Sequence, residues 1–200
     1  MLDQARVQGA RVTLDAGRGA GNLSTVGAHL LATDRLTAQA RHLDNTTGQW
    51  SGRQLHLNVE TLDNRGGTLL QTGTAALALH TRTLDNRAGY IGAQAADFTL
   101  TAQSLNTDAG QLQHAGTGRF TVQADQLSAQ TSGGSAAQII SAGSLALGAG
   151  SARLDGAQVA AEAMDITASQ LSAAGGQLTA RSGVLQLSAT GTQALDLRQA

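Results

Sequence analysis

Residues 62–69 read LDNRGGTL, residues 84–91 LDNRAGYI and residues 105–112 LNTDAGQL. One phrase returning in one register makes internal repetition the first property to test along the rest of the chain. Aligned on its leucine, the phrase extends through Leu43, Leu62, Leu84, Leu105 and Leu127, at spacings of 19, 22, 21 and 22 residues. Leu171 follows two periods later, with a less regular turn near Leu154 between them. Asp44–Asn45, Asp63–Asn64 and Asp85–Asn86 stand one and two residues after the anchor, and the next copy has Asn106–Thr107. Five residues after it comes glycine, at Gly48, Gly67, Gly89, Gly110 and Gly176. Seven after it comes a large apolar residue, at Trp50, Leu69, Ile91, Leu112 and Leu178. Apolar pairs precede the anchor at seven and five residues: Leu55 and Leu57, Leu77 and Leu79, Phe98 and Leu100, Phe120 and Val122, Met164 and Ile166.

The segments before each anchor, LHLNVETL, LALHTRTL, FTLTAQSL and FTVQADQL, alternate apolar and polar residues with period two. That is the pattern of a strand with one buried face, and helical spacing is missing throughout. Asp and Asn suit a turn after the strand, and the glycine supplies either a positive φ or a close backbone approach. A unit of about 21 residues cannot bury its own apolar stripe, so copies must stack and pair strand on equivalent strand. The expected fold is all-β: a parallel β-helix of about nine rungs, roughly 40–45 Å long at the strand spacing, and right-handed by the crossover rule. Asn or Thr in a turn column can then hydrogen-bond along the stack. Regular repeats occupy residues 36–130, irregular leading rungs 1–35, and degenerate rungs of the same solenoid 131–200. AGRGAGN (16–22) and TSGGSAA (131–137) read as enlarged turns.

Composition agrees with a thin interior. Aromatic residues are 2% of the chain while hydrophobic residues reach 41%, so small aliphatic groups must fill the core. Proline, which would delete ladder hydrogen bonds, is absent. Cysteine is absent too, which excludes disulfides, thiol nucleophiles and thiolate metal sites. A net charge of −1 offers nothing to nucleic acid or an anionic membrane. The opening MLDQARVQGARV lacks the order of a secretory signal, leaving a cytosolic protein or an internal piece of a longer exported chain. Irregular ends without polar caps favour the latter, because an exposed terminal rung is an open β edge.

Candidate chemistry is sparse. Asp44, Asp63 and Asp85 should stack at a separation near that of glycosidase carboxylates, but each repeats one turn with the same neighbours, which is the behaviour of a structural residue. No calcium-type glycine–aspartate register occurs. The five histidines (His29, His42, His56, His80 and His114) are scattered, without zinc spacing, and read as surface strand residues. Gly17, Gly19 and Gly21 lack the following helix a phosphate loop needs. Arg65, Arg82 and Arg87 could form a basic patch for sulfated glycans, against which a solvated face balanced by Asp63 and Asp85 is favoured. The sequons at Asn22 and Asn45 are read as chance. No catalytic residue, metal site or cofactor is expected.

The phrases at 62–69, 84–91 and 105–112, each after an alternating strand, resemble the filamentous haemagglutinin repeat of very large exoproteins in Gram-negative two-partner secretion systems. The resemblance is good over residues 36–127 and returns, degraded, near 164–188. It implies a β-helix, export through an outer-membrane two-partner secretion transporter, and a place at the bacterial cell surface. The partners it implies are flanking repeats of a parent chain, that transporter, and a receptor or glycan on a host or neighbouring cell. Adhesins with a role in virulence and stalks of contact-dependent growth-inhibition toxins share the repeat, and nothing in the sequence separates them. Neither a secretion domain nor a toxin segment is visible. The competing expectation is a β-helical carbohydrate-active enzyme or its inactive remnant.

Overall fold

The computed structural model describes residues 1–191. It is all-β, and the strands form one continuous parallel ladder. One rung shows the plan: a first strand Thr68–Gln71, a turn, a second strand Leu77–His80, and a third strand Thr83–Asp85. The Asp-Asn turn then leads to the first strand of the next rung, Tyr90–Ala93. In other rungs the second and third strands run together, as in Phe98–Asn106.

The apolar columns stack in register. Val7, Leu30, Trp50, Leu69, Ile91, Leu112, Ile139, Val159 and Leu178 lie one above another, which counts nine rungs. The anchors Leu43, Leu62, Leu84, Leu105, Leu127 and Leu171 form a second interior column and are all buried. Leu178 is only half-buried in its rung, where it packs against the end of the core. Phe98 and Phe120 stack face to face in a third column, with ring centroids 4.6 Å apart and planes within 5°. Strand pairing runs from Arg6 to Ala189, so the described parts of the leading and trailing segments are rungs of the same ladder.

Both glycine-rich stretches are enlarged turns. Asp15 stands over Gln39 and Asn22 over His42, so the chain loops outward through residues 16–21 before rejoining the stack. Between Thr131 and Ala137 a small excursion closes on itself through an antiparallel Ser132–Ser135 bridge.

The turn near Leu154 is where the repeat departs from its leucine rule. Ala152, not Leu154, stands in the anchor column between Leu127 and Leu171. Leu154 sits two residues on, pointing into the turn, fully buried. Neighbouring rungs have the opposite arrangement, Leu127 with Ala129 and Leu171 with Ala173, all of them buried. The two positions exchange a large and a small side chain and keep interior volume constant, the kind of swap a close-packed core accepts.

Candidate functional site

The Asp-Asn turns divide their labour between inside and outside. The asparagines point inward: Asn45, Asn64 and Asn86 are fully buried. Asn45 Nδ2 donates to Asn64 Oδ1 at 2.7 Å, and Asn64 Nδ2 donates to Asn86 Oδ1 at 2.7 Å. Threonine closes both ends. The Thr25 hydroxyl donates to Asn45 Oδ1 at 3.3 Å, and Asn86 Nδ2 donates to Thr107 Oγ1 at 3.0 Å. Each amide spends its second N–H on turn carbonyls, as Asn64 does on Gly67 and Tyr90. The result is a buried, unidirectional chain of side-chain hydrogen bonds with its donors and acceptors met. Past Thr107 the column turns apolar, through Ala129, Leu154 and Ala173. Asn45, the second sequon, is inside this ladder and closed to modification, whereas Asn22 is exposed.

The aspartates point outward and cap the backbone. Asp44, Asp63 and Asp85 occupy one register position in three successive rungs. Each accepts the amide two residues on, at 2.9 Å from Thr46, 3.1 Å from Arg65 and 3.2 Å from Arg87, and Asn106 does the same for Asp108 at 2.9 Å. Where the position holds serine, an aspartate of the preceding rung does the capping. Asp108 accepts from the Ser128 hydroxyl and the Gln130 amide, Asp155 from Ser172 and Ala174, and Asp3 from Ser24 and Val26. Sequence reading missed this inter-rung cap. Its signal is a serine one residue after the anchor, paired with an aspartate three after the previous anchor.

The turn glycines and the left-handed residues are different positions. Positive φ falls four residues after the anchor, on Gly27, Thr47, Gly66, Ala88, Ala109, Gly156 and Gly175. The repeating glycine, one residue later, is required by space. A Cβ at Gly67, Gly89 or Gly110 would collide with the carbonyl oxygen of Asn45, Asn64 or Asn86, and one at Gly48 with Asn45 Oδ1. At Gly176 it would lie 2.8 Å from the Leu154 carbonyl oxygen.

Charges on this face are mutually satisfied. Arg65 and Arg87 fork onto Asp63 and Asp85, each with an Nη2–Oδ2 distance of 2.6 Å, and Arg82 meets Glu60 at 3.2 Å. Burial pushes the Asp63 carboxyl up, but the hydrogen bonds and charge of Arg65 outweigh it and hold the group below the usual carboxylate value. The hydrogen bonds and charges of Asp63 and Asp85 raise Arg65 and Arg87 above the usual guanidinium value. The three arginines form no free basic patch.

His114 departs from the expectation of surface histidines. It is buried, with Nε2 donating to the Ala95 carbonyl at 3.0 Å and Nδ1 paired with the Ser141 hydroxyl at 3.0 Å. The reason is positional: His114 stands at the inward end of its strand, stacked between Ala93 and Ser141. Gln71, one rung beyond Ala93, is buried likewise and holds the turn carbonyl of Ala75 and the amide of Leu55. His29, His56 and His80 are exposed, and His42 is half-buried. His80 stands over Asn58, so His56 and His80 share no column.

Several grooves mark the outer surface, two of them larger than the rest described. One, of about 630 Å³, is lined among others by Arg6, His29, Leu31, Ser51 and Leu70. The other, of about 460 Å³, is lined by Ser104, Gln126, Ser128, Ser151, Arg153 and Gln170 among others. Neither has an Asp or Glu in its wall, and no group of three His, Asp or Glu among the described residues could hold a metal ion. Gly17, Gly19 and Gly21 lie in the loop between two strands, with no helix beyond them. No family model, curated protein or solved structure matches the chain.

Proposed function

We propose that the chain is a rod segment, the stalk of a large secreted exoprotein of the filamentous haemagglutinin type, holding an adhesive surface or a contact-dependent toxin away from the outer membrane. The observation that carries this reading is the use made of the turn carboxylates. Asp44, Asp63 and Asp85, the residues best placed to act on a glycan, each cap their own turn. Turns devoted to holding the stack suit a spacer. The carbohydrate-active alternative has less support, because a glycosidase needs two facing carboxylates, whereas the two larger grooves contain none and a smaller one beside Met164 contains Asp165 alone.

The ladder also suits export as an unfolded chain. Each rung pairs only with the rungs beside it, so it can form as soon as its neighbour has emerged. No cysteine needs pairing and no proline needs isomerising. The partners in this reading are flanking repeats of a parent chain, the two-partner transporter, and a receptor or glycan on another cell.

Antibody raised against the 132–136 excursion should label intact cells of the source bacterium, and deletion of the partner transporter should abolish the label. Labelling only after permeabilisation would overturn the proposal.

A further inference from the structure

The first-strand face is the least charged side of the rod and carries a large exposed apolar group in its second rung. Leu31 is 43% exposed; the other such residues among the described ones, Met1, Val184 and Leu185, lie near either end. Leu31 belongs to an outer column that runs Gln8, Leu31, Ser51, Leu70 and Gly92 in successive rungs. The parallel column beside it runs His29, Gln49, Thr68, Tyr90 and Gln111. From His29 to Gln111 neither column contains an Asp, Glu or Arg. The Tyr90 ring lies over Gly92, where a Cβ would come within 2.6 Å of a ring carbon, and its hydroxyl donates to Gln113 at 2.7 Å. The column therefore alternates a protruding leucine with a small or flat step, and the groove over Ser51 is the larger of the two described above.

We infer that this face binds a second copy of the chain, the two rods antiparallel, about a two-fold axis along the strands between the Ser51 and Leu70 rungs. That axis reverses rung order and keeps each column facing itself. Leu70 of each copy then enters the groove over the other's Ser51, and each Leu31 lands on the other's Tyr90 ring. In the second column Gln49 faces Thr68, and His29 faces Tyr90, so no like charges meet. Rung spacing is common to both copies, so contacts set at one rung remain in step along the interface. Six rungs at ~4.8 Å and four residues at ~3.3 Å give a footprint of roughly 400 Å² per copy. That is about half the ~800 Å² per partner of a standard stable interface, and the dimer is weak and reversible. The inference stands on the fold and is independent of the stalk reading.

Sedimentation equilibrium of the full chain tests it. The weight-average mass should rise from 20.3 kDa toward twice that value between micromolar and millimolar concentration. Leu31→Arg and Leu70→Arg, both on the solvent face, should remain monomeric with an unchanged far-ultraviolet spectrum, while Thr99→Arg on the second-strand face should associate like the parent. Because the chain has no cysteine, the register can be read directly: under oxidation an equimolar mixture of S51C and L70C should form mixed disulfide dimers in preference to either homodimer. A parent chain monomeric at 1 mM, association surviving both arginine variants, or S51C homodimers dominating would each overturn the proposal.

Discussion

The carboxylate of Asp108 accepts the hydroxyl of Ser128 at 2.6 Å and the amide of Gln130 at 2.9 Å, both one rung further along the rod. This is the same backbone position that Asp63 caps in its own rung through Arg65, reached from the rung before. Asp108→Ala should cost about 1–2 kcal/mol, the loss of a charge-assisted hydrogen bond at a partly buried site. It should also raise the hydrogen-exchange rate of the Gln130 amide. Ser128→Asp in the D108A background should recover most of both, because it moves the cap back inside the rung. Failure of that rescue would mean the two capping modes are not equivalent.

Adjacent residues in the turn should respond with opposite sign. Ala88 holds a left-handed φ of 52°, which costs an alanine about 1 kcal/mol relative to glycine, so Ala88→Gly should stabilise by roughly 0.5–1 kcal/mol. Gly89→Ala would drive a methyl group into the Asn64 carbonyl and should destabilise by at least ~3 kcal/mol. Urea unfolding of both variants checks the pair, and equal signs would refute the assignment of roles.

Ala152 and Leu154 should be strongly coupled. Leu154→Ala leaves a cavity in a fully buried turn and should cost about 2–4 kcal/mol; Ala152→Leu overfills the anchor column and should cost about 1–3 kcal/mol. The double variant recreates the Leu127–Ala129 arrangement of the preceding rung and should lie within ~1 kcal/mol of the parent. Additive losses in a double-mutant cycle would show that the exchange is not compensatory.

Asn64 sits mid-ladder, so Asn64→Ala orphans one N–H of the Asn45 amide and the Oδ1 of Asn86 together. At roughly 1–3 kcal/mol for each buried unsatisfied group, the loss should be about 2–5 kcal/mol. Asn86→Thr should cost less, because Thr107 already serves as a terminal member of the same column. Thermal unfolding of the two variants side by side decides whether the ladder works as a unit.

Acid should weaken the rod through Asp63. Its carboxyl titrates lower in the folded chain than the usual value near 3.9, so the unfolded chain takes up the proton first as pH falls. The stabilisation is complete above the unfolded value and is lost as pH drops through the folded one. The urea midpoint should therefore fall between pH 6 and pH 3, and by less in D63N than in the parent. An equal fall in both would remove Asp63 from the account.

Much of this protein was legible in its sequence because a stack repeats each local environment. Leu62, Leu84 and Leu105 recur because they face one interior column, and period-two alternation marks the strand faces without tertiary knowledge. The same holds for the 132–136 excursion, which interrupts the period visibly. Three things depended on the third dimension. Asp63 and Asn64 are neighbours of similar chemistry, and only the fold sends one to solvent and the other into a buried ladder. Asp108 and Ser128 are 20 residues apart in the chain and meet only because the rungs lie side by side. His114 alternates in phase with buried Leu112, and only the fold supplies the partners that let its ring stay inside, the Ala95 carbonyl and the Ser141 hydroxyl. Periodicity fixes which residues share a column, since that follows from chain geometry alone. What a column's members do for one another follows from distances across rungs, and those exist only once the stack has closed.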